Sequence, residues 1–381
     1  MSSLTVRAYN VLFGDAILVT LPDRDPTTGV ETERHILIDV GNVLGGVGGG
    51  DEVFVPVVDD VRRRLDGRPL DLYVMTHEHL DHVQGLPYAA QRGVDLDVDY
   101  AWLTASAAPD YYSKHPEARR KKLALEAAYL TIERRLGADP DANTPWMKAL
   151  MLNNNPRRTA DCVAYLRGLA TTATCFVHRQ TRLRRGTHHP FREAKLRILA
   201  PEEDTATYYG RLRLPVSTAG NEPRVVDLEP PEGVDPDAFR RLVESWSEGI
   251  GDAVLAIDRA ANNTSVVFRL EWRGWRLLFA GDAEQKSWAL MASAGVLDAS
   301  HFLKVGHHGS HNATPPDAIL ESILPLAPTD DRKREALIST CAGSYNAVPH
   351  EPTMSRLRAR CDRVISTASV PPGDSICLEF D

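Results

Sequence analysis

The segment His77-Glu78-His79-Leu80-Asp81-His82 places three imidazoles and a carboxylate within six positions. That density of nitrogen and oxygen donors suits zinc or a similar divalent ion. On a tight loop, His77 and His79 can face one ion while Asp81 and His82 face a second, because residues two apart share a side and the turn redirects the next pair. A solvated histidine cluster is the bland alternative. It is disfavoured by the apolar run Leu70–Met75, which leads directly into the motif and fixes it at a sheet edge.

Other donors stand at similar places. Asp39 lies in the run His35–Val40, Asp282 follows Arg276–Ala280, and His307 and His308 follow His301–Val305. Taken singly, a Gly-Asp after a strand is a common turn. Repeated, the pattern is a strand with an acidic or histidine residue at its exit, and strand exits on one edge of packed sheets can converge on a single cleft.

The elements that must position these residues are readable from periodicity. Ala16–Leu21 and His35–Val40 read as two strands in the first forty residues, and the glycine-rich stretch Gly45–Gly50 reads as a surface loop because it lacks the lysine of a phosphate cradle. Apolar residues recur at helical spacing from Val53 to Leu65, and Leu70–Met75 reads as a short strand. Pro109–Leu169 is helical in character. Leu196–Ala200 reads as a strand, followed by a Pro-rich stretch with one helix to about Ser247, capped by Asp235 with Pro236 in its first turn. Ser265–Leu270 and Arg276–Ala280 flank Arg273-Gly274, a hairpin signature; Ser287–Ala294 is helical and His301–Val305 a strand.

Thr76-His77-Glu78-His79-Leu80-Asp81-His82 resembles the signature of the metallo-β-lactamase superfamily. The resemblance implies an α/β fold, an αββα sandwich of two packed mixed sheets flanked by helices. Phe13-Gly14-Asp15-Ala16, Ile38-Asp39-Val40-Gly41, Asn262-Asn263-Thr264-Ser265, Leu278-Phe279-Ala280-Gly281-Asp282 and Leu303-Lys304-Val305-Gly306-His307-His308-Gly309-Ser310 are similar to motifs of the hydrolase domain of ComEC-type DNA-uptake proteins, in the same order. The expectation is a stand-alone soluble relative without that family's membrane channel. It would form a single domain over 1–381, with a helical insertion at about 109–170 and a Pro-rich one at about 202–261.

Carried over residue by residue, the resemblance implies two divalent ions, zinc or manganese, held by His77, His79, Asp81, His82, Asp282 and His307. Asp282 matches the carboxylate that bridges the ions, and His307 the imidazole completing the second, with His308 one position away as the alternative. Asp39 matches a residue that supports the ligand histidines from behind. A further histidine usually completes the first ion, after a strand equivalent to Leu196–Ala200, but residues 202–261 contain none. ComEC-type domains tend to lack it too, which leaves that ion weakly held or completed by water or substrate. His178, His188 and His189 precede the strand and are the substitutes on offer, although a solvated basic face is their ordinary reading. Val348-Pro349-His350 resembles the family's His-Pro element in reversed order, making His350 a candidate for substrate contact or proton transfer. Ser310, His311 and Asn312 could place donors at the cleft rim, or simply cap the loop.

Two such ions lower the pKa of a shared water and stabilise the oxygens of a displacement, with Asp81 accepting a hydrogen bond from that water. The implied activity is a phosphodiesterase, a nuclease on DNA or RNA. Alternatives are a hydrolase of a lactone, β-lactam or small phosphoester, and a non-catalytic binding module that has lost one metal. An oxygen-reducing di-iron protein fits poorly, since such relatives carry a carboxylate at the position of His79.

Bulk properties set limits. Of 381 residues, 43% are hydrophobic and 25% charged, enough for a sizeable core. The net charge of −8 opposes chain-wide attraction to phosphate backbones. A nuclease therefore needs a local basic track, for which Arg119–Lys122 and the stretch His178–Arg197, with Arg182, Arg184 and Arg185, are the candidates. Five scattered cysteines without a Cys-x-x-Cys pair suggest neither a thiolate zinc site nor a disulfide framework, and a reducing cytoplasm is expected. No export signal or membrane span is read from the sequence.

Overall fold

A computed structural model of the chain describes residues 3–25, 28–43, 52–138, 145–209, 250–328, 330–341 and 348–381. In these residues the strands are, in chain order, β1 (Leu4–Tyr9), β2 (Ala16–Arg24), β3 (Glu31–Val40), β4 (Leu70–Met75), β5 (Val98–Thr104), β6 (Ala170–Val177), β7 (Lys195–Ala200), β8 (Val267–Trp272), β9 (Trp275–Phe279), β10 (Phe302–Lys304), β11 (Glu335–Ile338), β12 (Arg363–Ser366) and β13 (Ser375–Phe380). They form two mixed sheets. One runs β13-β1-β2-β3-β4-β5-β6 and the other β12-β11-β10-β9-β8-β7. Each is antiparallel at one end and parallel at the other: β13 through β3 and β9 through β7 pair antiparallel, while β3 through β6 and β9 through β12 pair parallel.

The parallel halves explain why β4 reads as an apolar run interrupted by Asp71 alone. All six of its residues are buried, because a parallel strand needs crossover helices that cover the sheet's outer face. Between the sheets, Ile17, Ile36, Val74 and Trp102 meet Phe268, Leu277, Phe279 and Phe302. Outside the first sheet lies the helix Phe54–Leu65, whose Phe54, Val57, Val58, Val61 and Leu65 recur at helical spacing. It ends where Asp66 and Gly67 turn left-handed, at φ 50° and 75°. Outside the second, Trp288, Met291, Leu320, Ile323, Met354 and Leu357 pack from three helices, Gln285–Ser293, Asp317–Ile323 and Glu351–Arg358. The result is helices, sheet, sheet, helices.

The hairpin at Arg273-Gly274 has both residues left-handed, at φ 45° and 86°, as a two-residue turn between twisted strands requires. The first forty residues hold three strands rather than two, since Leu4–Tyr9 pairs with both β2 and β13. Residues 109–170 carry the helices Tyr111–Lys114, Pro116–Ala138, Pro145–Asn153 and Pro156–Arg167. Of the Pro-rich stretch, the expected helix to Ser247 lies outside the described residues, as does Gly45–Gly50. A helix not foreseen, Ile250–Asn262, closes that stretch. Its Ile257 and Ala260 join Leu125, Ala128, Tyr129, Ile132, Met147 and Met151 in a satellite core of their own, so the two segments clasp each other beside the His77–His82 loop. No helix among the described residues is long and apolar enough to cross a membrane.

Candidate metal centre

Three strand exits supply the site. β4 delivers Thr76–His79 and the single helical turn Leu80–Val83, β9 delivers Asp282, and β10 delivers His307 and His308. Asp81 Oδ2 lies 3.3 Å from His308 Nε2. His82 Nε2 lies 3.3 Å from Asp282 Oδ2 and 3.7 Å from Asp81 Oδ1. Donor atoms of Asp81, His82, Asp282 and His308 all fall within 4.8 Å of one another, and so do those of His77, His79 and Asp81. Asp81 thus belongs to both groups. All six residues are buried.

Outer partners decide which ring nitrogen each histidine offers. Asp39 accepts from the Thr76 backbone N–H at 2.8 Å and from its hydroxyl at 2.6 Å. With its proton directed at Asp39, the Thr76 oxygen can only accept from His77 Nδ1, 3.1 Å away, leaving the Nε2 lone pair of His77 free. Asp39 also accepts from His82 Nδ1 at 2.8 Å, and the Ser339 carbonyl accepts from His308 Nδ1 at 2.8 Å. Both rings therefore present Nε2 to the centre. Asp39 thus meets the His82 ring on the nitrogen opposite the one that faces Asp81 and Asp282.

Close backbone approach fixes the loop itself. A Cβ at Gly41 would lie 2.3 Å from both Asp81 C and His82 N, and one at Gly14 would lie 2.6 Å from Asp81 O. Only glycine lets these turns pack on the Asp81–His82 peptide, where Asp15 N donates to Asp81 O at 3.1 Å. Strain collects here too: Asp39, His307 and His308 all have left-handed φ, at 51°, 45° and 56°. Residues other than glycine hold that conformation only where the surroundings over-determine it.

Several expected residues are not in the group. His307, expected to complete the second ion, is in neither donor group, whereas His308 is in one. Its ring turns instead to Glu284 (3.5 Å) and Asp258 (4.0 Å), with only its backbone N–H donating to Asp282 Oδ1 at 2.8 Å. Burial alone would lower the His307 pKa, but the Glu284 hydrogen bond and the charges of Asp282 and Asp258 outweigh it and raise the pKa to about 10. His178 lies in the loop between β6 and β7, bonded to Gln180 and Thr181. His188 and His189 stay with that loop: the His188 carbonyl accepts from Trp102 Nε1, and the His189 ring stacks on Phe191. Arg182, Arg184 and Arg185 are exposed on the same loop. Of the other basic run, Arg120 pairs with Glu117, Lys122 with Glu78 at 3.0 Å, and Lys121 donates to the Ala206 carbonyl.

His350 precedes the helix Glu351–Arg358, and its backbone N–H donates to Gly309 O at 2.9 Å. Its ring meets that of His311 edge-on at 5.1 Å. The two line an open groove of about 570 Å³ with Gln285, Asp317 and Arg356. Ser310 Oγ lies 3.2 Å from His307 Nδ1, and Asn312 bonds within the loop through its side chain to His311 and its carbonyl to Gln285 N.

Sequence reading missed the contributions of the helical segments. Asn153 Oδ1 accepts from the Asp81 backbone N–H at 3.1 Å, and Asn154 Oδ1 faces His79 Nε2 at 3.0 Å. Glu78, whose side chain lies outside both donor groups, accepts from Ser106 and Lys122. Burial raises its pKa, but the Lys122 charge and these hydrogen bonds more than offset that and hold it below the usual carboxylate value. Lys304 Nζ donates to Asp15 Oδ2 at 2.7 Å in full burial. An Asn-Asn pair at a helix end and a lysine inside a short apolar strand carry no local signal that could have revealed these roles.

The donor set fits divalent cations. Asp81 Oδ1, His82 Nε2 and Asp282 Oδ2 are buried with no hydrogen-bond partner, a costly arrangement for polar atoms unless something else satisfies them. His77 Nε2 and His79 Nδ1 approach to 3.0 Å, near the roughly 3.3 Å that separates two nitrogens on one tetrahedral zinc.

Comparison with known proteins yields no family model that matches the chain and no matching curated protein. Among solved structures, the chain is similar to a protein of unknown function from Enterococcus faecalis V583, with a TM-score of 0.35 and 12% sequence identity, over 83% of this chain and 53% of that one. The chain thus spans about half the length of that protein.

Proposed function

We propose that the chain is a two-metal hydrolase of the metallo-β-lactamase type, acting on phosphodiesters of DNA or RNA. The observation that carries this reading is the pair of buried donor groups that share Asp81. His77, His79 and Asp81 would hold one ion, and Asp81, His82, Asp282 and His308 the other. Zinc or manganese bound there would supply an activated water at neutral pH and would stabilise negative charge on the reacting oxygens.

The chain's own part is preorganisation. Asp39, Thr76 and Ser339 hold the imidazoles in their metal-facing tautomers before any ion arrives. Gly14 and Gly41 let the Asp81–His82 peptide seat against the two neighbouring turns. His311 and His350, lining the groove beyond Gly309, can orient a substrate by hydrogen bonding and donate or accept a proton. For the substrate class, support comes from the sequence resemblance to ComEC-type hydrolase domains and from the exposed arginines Arg182, Arg184 and Arg185. The run Arg119–Lys122 contributes less, because three of its side chains are already engaged within the fold.

A cavity of about 140 Å³ lined by Glu78, His79, Tyr112, Lys122, Leu125 and Ile257 favours a second reading. Its size suits a small organic group rather than a polymer, pointing to a small phosphoester or a lactone.

Metal analysis of purified protein, followed by assays with zinc or manganese added, tests both. Two ions per chain and hydrolysis of both a generic phosphodiester and nucleic acid are expected, with Asp282→Ala losing metal and turnover together. Nucleic-acid affinity should fall with salt at roughly −0.7 to −0.9 per phosphate neutralised. Removing charge at Arg182, Arg184 and Arg185 should weaken it without touching the small substrate. Turnover of small esters alone, indifferent to those arginines, would select the second reading. Absence of bound metal and of hydrolysis would sink both.

A further inference from the structure

The first donor group holds two imidazoles and a carboxylate, and residues 202–261 contain no histidine to add a third. What stands beside His79 instead comes from the helical segments. Asn154 follows directly on the helix Pro145–Asn153, and Asp258 lies on the helix Ile250–Asn262. Both are buried.

The orientation of the Asn154 amide is forced by what surrounds it. Its Nδ2 donates to the Leu150 carbonyl at 3.0 Å and to Asp258 Oδ1 at 2.9 Å. Flipped, the amide would turn its oxygen on a carbonyl and a carboxylate, two groups that can only accept or repel. With both amide protons thus spent, Oδ1 faces His79 Nε2 at 3.0 Å and can only accept from it. His79 therefore carries its proton on Nε2 and offers the Nδ1 lone pair, on the side where His77 Nε2 lies 3.0 Å away. Asp258 is held in turn by Asn262, whose Nδ2 donates to its second oxygen at 3.1 Å.

We infer that Asn154, locked by Asp258, is a positioning residue that sets the affinity of the first ion by fixing the tautomer and ring orientation of His79. The proposal rests on the metal reading above. Its mechanism is the ordinary one of a ligand's outer partner: without a fixed acceptor on Nε2, the ring spends part of its time with Nδ1 protonated and useless to a cation. Because only two imidazoles serve this ion, each one's readiness weighs more. The helical segments, rather than the strand exits alone, would then control whether the first position fills.

The test is chelator-competition titration of zinc into the full chain, together with the absorption spectrum of the cobalt(II) form, for wild type, Asn154→Leu, Asp258→Ala and the swap Asn154→Asp/Asp258→Asn. In Asn154→Leu one of the two ions should bind about 10–100-fold more weakly, with a changed cobalt spectrum, while the other binds as in wild type. Asp258→Ala, which frees the amide to turn without removing it, should show a smaller loss at the same ion. The swap keeps an acceptor on His79 and a donor between the two positions but turns a carboxylate oxygen on the Leu150 carbonyl, so it should restore only part of the affinity lost in Asn154→Leu. Equal weakening of both ions, or none of either, would overturn the proposal. Wild-type protein that binds no ion would overturn the metal reading itself, and this proposal with it.

Discussion

His308 Nε2 lies 3.3 Å from Asp81 Oδ2, joining the exit of a strand in the second sheet to the His77–His82 loop of the first. Its neighbour His307, also left-handed, turns its ring to Glu284 and Asp258 instead. His308→Ala should therefore lower metal content by about one ion per chain, and His307→Ala should leave it near the wild-type value. Elemental analysis after dialysis decides the matter. The reverse ranking would restore His307 as the ligand.

Lys304 and Asp15 form a fully buried ion pair beneath the same site, linking β10 to the turn before β2. Removing one partner from such a pair strands a charge in a poorly solvating interior. Lys304→Met should cost about 3–5 kcal/mol in denaturant unfolding, and adding Asp15→Asn should recover part of it. A loss of less than about 1 kcal/mol, well short of that range, would show that water or structural relaxation reaches the pair.

His189 gives a pH signature away from the candidate metal centre. Burial, with the charges of His188 and Arg185, lowers its pKa from 6.5 to about 4. Between those values the unfolded chain binds a proton that the folded chain refuses, so the folded state loses stability as the pH falls from 6.5 toward 4. The contribution is fully present above that window and changes little below it. Its slope is at most about 1.4 kcal/mol per pH unit. His189→Phe should flatten the wild-type profile in that window, measured by urea unfolding at a series of pH values. Parallel profiles would mean that His189 takes its proton in the folded state.

The local parts of the site were legible because local physics writes them. A short run, apolar apart from Asp71, that ends in closely spaced histidines reads as a buried strand opening onto a polar loop, and β4 with His77–His82 is that arrangement. The hairpin at Arg273-Gly274 and the amphipathic helix Phe54–Leu65 were readable for the same reason, from turn chemistry and periodicity. Leu4–Tyr9 was missed because its partners, β2 and the distant β13, lie outside any local window.

By itself, then, the sequence determined which residues stand at strand exits and what chemistry they could share, and its resemblance to a known family carried the expectation of layered sheets and helices. Only the tertiary structure placed His308, and not His307, among the clustered donors, since that depends on which distant side chains each ring meets. It alone brought Asn154 to His79 across 75 positions and Asp258 to Asn154 across 104. Such pairings depend on how helices pack over the loop, and periodicity reports which face of an element is buried, never which distant side chain it will meet.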